Sequence, residues 1–189
     1  MKNNRYRKSF IFSNKAEDVS ALLSDCVGYV LEPKDTVPVP VELLSKIKWV
    51  LTELLINGSK HSGTSETIVT LTLNADTLTI EKEDFGNPLQ LMADNGTKIL
   101  TWPIPETYLS QTLEVYQNGM DSLRIFLANP GNAVFSVAEM DDIQMPLLLV
   151  TTSEHFGLMI IAKASDHFQY TFDHVNKKNI FSITFNYIE

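Results

Sequence analysis

The sequence predicts an α+β fold: a two-layer α/β sandwich in which a mixed, mainly antiparallel sheet carries helices on one face. Three observations predict it. A long amphipathic run ending in residues 49–63 puts Leu44, Ile47, Leu51, Leu54 and Leu55 on one helical face, which can pack on a sheet. Alternating segments at Thr67–Leu73 and 77–83, joined by Asn74-Ala75-Asp76, read as a hairpin. A second strand pair, 168–172 and 179–187, closes the chain behind one more apolar helical run. With 189 residues, 44% hydrophobic and 20% charged, the chain suits a single domain spanning 1–189, with a sizeable core.

Residues 6–13 alternate loosely, with Phe10 and Phe12 on one face, and read as the first strand. Arg5, Arg7 and Lys8 form its solvated entrance. Ser13 or Asn14 is placed to cap a helix with Glu17 in its first turn. Val19, Leu22, Leu23, Cys26, Val27 and Val30 give that helix its apolar stripe. A proline-rich linker, 32–40, leads to the long helix, whose start is marked by Pro38 and Pro40 and whose stop is the loop 62–65.

The polar face of the long helix lines up Glu42, Lys46, Glu53, Asn57, Lys60 and His61. Carboxylate, amide, ammonium and imidazole in one row suit a metal–phosphate ligand; taken alone, they suit a solvated helix face better, because polar faces of amphipathic helices are common. The hairpin that follows runs into Asp84-Phe85-Gly86-Asn87-Pro88, all but one of them turn formers.

Residues 87–153 read as a long insertion, the stretch to which the resemblance described below assigns a lid. Within it, 107–116 is predicted as a short helix. Segments 121–128 and 132–138, joined by Asn129-Pro130-Gly131, are predicted as an inserted hairpin or an extension of the sheet. Trp102 and Tyr108 fit either a binding surface or a packed core. Residues 154–166 read as a helix with Gly157 at its start, where free backbone N–H groups attract an anion. An ordinary first turn of a buried helix accounts for the same glycine.

A net charge of −8 argues against broad nucleic-acid binding but leaves an anionic nucleotide open. Cys26 is the single cysteine, lies in an apolar run and cannot form an internal disulfide, so it reads as core in a reducing cytoplasm. No apolar run approaches the ~20 residues that span a bilayer, and residues 10–12 are too short for a signal-peptide core.

The pattern Glu53-Leu54-Leu55-x-Asn57-x-x-Lys60-His61 resembles the N box of the histidine-kinase-like (GHKL, or Bergerat) ATPases, the family of gyrase and the histidine kinases. Asp84-x-Gly86 resembles its first glycine box, and Gly157-Leu158 with the helix they start resembles its second. The element order and the closing strand–turn–strand are most similar to the anti-sigma-factor serine/threonine kinases. A complete histidine kinase is not implied, because His61, His155, His167 and His174 all lie at or after the N box.

The resemblance implies the Bergerat ATP-binding fold, with ATP and Mg2+ on the helical side. It gives Asn57 the magnesium and Glu53 the role of catalytic base. Lys60 and His61 would sit by the phosphates, as would Gly157 and Leu158. Asp84 would accept from the adenine 6-amino group, and Gly86 would let the base approach the backbone. The implied output is a cytoplasmic kinase that phosphorylates a partner protein, a sigma factor or an anti-sigma antagonist, in partner-switching control of transcription. It implies no nucleic-acid or membrane partner and allows a homodimer. The alternative is a non-catalytic regulatory binding module; a chance match in an unrelated α+β domain is the third reading. Three departures stand out. His155 replaces a glycine, the segment 146–152 is apolar, and Gly58 stands where alanine is commoner.

Overall fold

Period-two burial runs through most of the chain and builds one sheet. The computed structural model describes residues 5–32, 39–94, 96–140 and 155–187. In chain order these form β1 (Tyr6–Phe12), α1 (Val19–Leu31), α2 (Val41–His61), β2 (Thr67–Leu73), β3 (Thr77–Asp84), β4 (Gln90–Ala93) and β5 (Lys98–Thr101). They continue with β6 (Thr112–Gln117), β7 (Asp121–Asn129), β8 (Asn132–Glu139), α3 (Phe156–Ala164), β9 (His167–Asp173) and β10 (Lys178–Asn186). The main sheet has eight strands in the order β1-β2-β3-β10-β9-β8-β7-β6, and β4 and β5 pair separately.

This overturns the expected two-layer Bergerat sandwich with its mixed sheet. Every pairing in the main sheet is antiparallel. Strand, not helix, dominates, and the described residues hold only three α-helices. The physical reason lies in the segment read as a lid or insertion. There β8 pairs with β9, β7 with β8, and β6 with β7, so three alternating strands lengthen the sheet. The helix expected at 107–116 is a single 3-10 turn, Glu106–Tyr108, followed by β6. Leu113 and Val115 of β6 are buried and their neighbours are not, which is strand alternation.

Local chemistry explains the remaining differences. No side chain caps the first helical turn. Asn14 instead adopts a left-handed φ of 56°. Its amide nitrogen donates to the Ser62 hydroxyl at 2.9 Å and the Thr64 carbonyl at 2.8 Å, tying the end of β1 to the loop after α2. Ser13 donates to the Asp18 carboxylate. Trp102 is core, not surface: it is buried, with its ring edge-on to Tyr170 at 5.0 Å. Most of the predicted linker, 33–38, lies outside the described residues, as does the apolar segment 146–152.

Helix α2 lies between α1 and α3 and buries Leu43, Ile47, Val50, Leu51, Leu54 and Leu55. Pro40 sits at its N-cap and accepts from the Leu43 N–H. Lys60 and His61 fall in its last turn, where the Lys60 ammonium complements the carbonyl end of the helix. Cys26 is fully buried, and burial pushes its thiol up to about 12, which leaves it an inert core residue. Among the described residues no helix is long and apolar enough to cross a membrane.

Candidate functional site

Strand β3 delivers the first polar groups. Its inward face reads Leu78, Ile80, Lys82, Asp84, all buried, so two charged residues continue an apolar row. Lys82 and Asp84 neutralise each other: Nζ lies 2.7 Å from Asp84 Oδ2, and both side chains are 3% exposed. The other carboxylate oxygen, Oδ1, accepts from Asn179 Nδ2 at 2.8 Å and from the Gly86 N–H at 3.0 Å.

Asn179 is fixed in turn. Its side-chain oxygen accepts from the Tyr170 hydroxyl at 2.6 Å, and that hydroxyl accepts from the Leu89 N–H at 3.0 Å. The Asn179 amide nitrogen also reaches the carbonyls of Gly86 at 3.2 Å and Asn87 at 3.1 Å. Asp84 is therefore held rigidly by partners on β3, β10 and the turn between β3 and β4.

Gly86 makes the turn possible. A Cβ there would sit 1.5 Å from the Ser62 carbonyl oxygen, so the turn presses directly on the end of α2. Gly58 does the same one turn earlier in α2. A Cβ on it would lie 3.3 Å from Lys82 Cε and 3.2 Å from Asn14 Oδ1. Asn14, the stem of Lys82 and Phe12 therefore crowd the place an alanine methyl would take.

Between α2, the first turn of α3 and the ends of β3 and β10 lies a cleft of about 340 Å³. Its polar wall comprises Asn57, His61, Lys82, Asp84 and Asn179, and Leu89, Leu91, Leu158 and Phe181 form its apolar wall. The structure thus brings Asn57, His61, Asp84 and Leu158 to one cavity. Gly157 adjoins it: a Cβ there would lie 2.5 Å from Glu53 Oε2 and 3.7 Å from Asn57 Nδ2. Glu53 is half-buried one turn before Asn57. Burial raises its carboxyl above the ordinary range, and the Lys60 ammonium offsets part of that. Lys60 is exposed and, like Glu53 and Gly86, does not line the cavity among the described residues. His155, the N-cap of α3, does line it.

Sequence reasoning missed Lys82, Asn179 and Tyr170. A signal existed for the first: a lysine in phase with Leu78, Ile80 and Asp84 points to the buried face.

The donor set limits how a metal could be held. Among the described residues no three His, Cys, Asp or Glu side chains cluster as ligands. That does not fit a metal caged by protein alone. It fits magnesium borne on phosphates, which keeps most of its waters and needs only one or two protein oxygens. The Asn57 side chain, on the cavity wall, can supply one.

No protein family matches the chain, and no curated protein matches it.

Proposed function

We propose that this chain binds magnesium-ATP in the cleft between α2 and α3 and transfers a phosphoryl group to a serine or threonine of a partner protein. The observation that carries this reading is the polarity of the cavity. Its lining combines an anchored carboxylate, Asp84, with the Asn57 amide and the start of α3. The anchored carboxylate suits the amino edge of an adenine. The apolar wall of Leu89, Leu91 and Phe181 suits its ring faces.

The first turn of α3 leaves backbone N–H groups without helical partners, and the Glu53 carboxylate and the Asn57 amide lie against Gly157 in that turn. Asn57 would hold the phosphate-borne magnesium, which supplies charge neutralisation when bound. Glu53 would orient the acceptor hydroxyl and take its proton. Positioning and charge complementarity provide most of the acceleration in such chemistry. The N-box resemblance supports an anti-sigma-type role, with a sigma factor or anti-sigma antagonist as partner and partner switching in transcription as the output.

One observation favours a second reading. The His155 side chain lines the cavity where the resemblance expects a bare backbone. A non-catalytic regulatory module, docking its partner with or without nucleotide, would tolerate that.

The test is ATP-dependent labelling of a co-purified or neighbouring-gene protein. The kinase reading expects labelling by the wild type and its loss in Glu53→Gln. Equal labelling by both would remove Glu53 from the chemistry, and nucleotide binding without labelling would favour the module.

A further inference from the structure

The resemblance assigns no role to Lys82, yet it is the most deeply buried cation of the cleft. Its ammonium lies 2.7 Å from Asp84 Oδ2 and 5.2 Å from the centre of the Phe181 ring. An ammonium has three donors, and a desolvated one calls for acceptors beyond a single carboxylate oxygen. Asp84 Oδ1 already takes two donors, from Asn179 and the Gly86 N–H, whereas Oδ2 takes only Lys82. The pair therefore offers a cationic donor and an anionic acceptor side by side on the wall of the cavity.

A heterocycle whose edge sets a ring acceptor next to an amino donor completes both groups at once. Adenine has that edge: N1 accepts and the 6-amino group donates. It carries no further polar group there. Guanine carries the same two roles in reverse order, N1–H donating and O6 accepting, so it meets a lysine placed at position 1 and a carboxylate placed at position 6 with donor facing donor and acceptor facing acceptor.

We propose that Lys82 is a base-reading residue that donates to adenine N1 while Asp84 accepts from the 6-amino group. The inference rests on the nucleotide reading above and deepens it. Base selection then belongs to two residues two positions apart on β3, with Asn179 holding the carboxylate in place. Gly58 belongs to the same device, because it makes room for the lysine stem.

The experiment is calorimetric titration of the wild-type chain, with magnesium, by ADP, 1-deaza-ADP, 7-deaza-ADP and GDP. The 1-deaza analogue lacks only the N1 acceptor. It is expected to bind about tenfold more weakly than ADP or worse, the scale of one charge-assisted hydrogen bond. The 7-deaza analogue is expected to bind as ADP does, and GDP more weakly. In Lys82→Met, checked for folding by circular dichroism, ADP and the 1-deaza analogue should bind alike. Should that variant fail to fold, the wild-type comparison decides alone. Equal binding of ADP and 1-deaza-ADP by the wild type would overturn the role of Lys82 and leave the nucleotide reading standing. So would discrimination that survives in a folded Lys82→Met. Tighter binding of GDP than of ADP would overturn the adenine assignment. Binding of none of the four would overturn the nucleotide reading, and this inference with it.

Discussion

Gly157 and Glu53 are in close approach: a Cβ on the first turn of α3 would lie 2.5 Å from the Glu53 Oε2 that reaches across from α2. The backbone of Gly157 is not in the left-handed region, so the constraint is space and not torsion. The obstructing atom ends a flexible side chain, and the fold can absorb an alanine by swinging Glu53 aside. Gly157→Ala should therefore change stability by less than about 1 kcal/mol while lowering phosphoryl transfer about tenfold or more. Thermal melts beside a labelling assay check both halves.

Gly86→Ala should behave in the opposite way. Its Cβ would meet the Ser62 backbone oxygen at 1.5 Å, and backbone cannot swing aside. The turn would have to leave α2, taking the Gly86 N–H away from Asp84. A loss of roughly 3 kcal/mol or more is expected in chemical denaturation.

Gly58 and Lys82 should be coupled. Gly58→Ala gains helix propensity, about 1 kcal/mol, but must compress the Lys82 stem at 3.3 Å. Lys82→Ala relieves the crowding while leaving Asp84 buried without its cation, at a cost of about 3–5 kcal/mol. A double-mutant cycle should find Gly58→Ala more favourable in the Lys82→Ala background by about 0.5–3 kcal/mol. Strict additivity would mean that the two side chains do not compete for this space.

The raised carboxyl of Glu53 sets a pH dependence. Its acid form is favoured by the fold, so its contribution to stability is full below the ordinary value of 4.5 and is lost as pH rises through the raised folded value. The proposed phosphoryl transfer would run the other way, because it needs the base form, which appears only above the raised value. The acid limb of the transfer rate should therefore lie above pH 4.5, and Glu53→Gln should remove it along with activity.

How much of this was legible depended on the length and phase of each pattern. Strands β2, β3, β7 and β8 and helix α2 are long and strongly periodic, and their positions followed from the sequence. Strands β4 and β5 have four residues each, too few for a period to register. β6 falls within the short helix predicted at 107–116; the pairing of Leu113 with Ile125 on β7 makes it strand. β7 and β8, predicted as an inserted hairpin or an extension of the sheet, are the extension, and β6 lengthens it by one more strand. Of the candidate site, the sequence named Asn57 and Asp84, and both line one cavity. Lys82 was passed over because a lysine in an alternating strand reads as solvent-facing until its phase is compared with Leu78 and Ile80. Asn179 and Tyr170 act through contacts across strands that no single segment displays.

The central claim is that the cavity between Asn57 and Asp84 takes a magnesium nucleotide. The most direct measurement is the melting temperature of the wild type and of Asn57→Ala across a titration with magnesium-ADP. The account predicts a rise that grows with ligand in the wild type, approaching about 2.7 kcal/mol of stabilisation at a hundredfold excess over Kd, and its loss in Asn57→Ala. An unchanged wild-type melt at millimolar nucleotide, or an equal rise in both proteins, would contradict it.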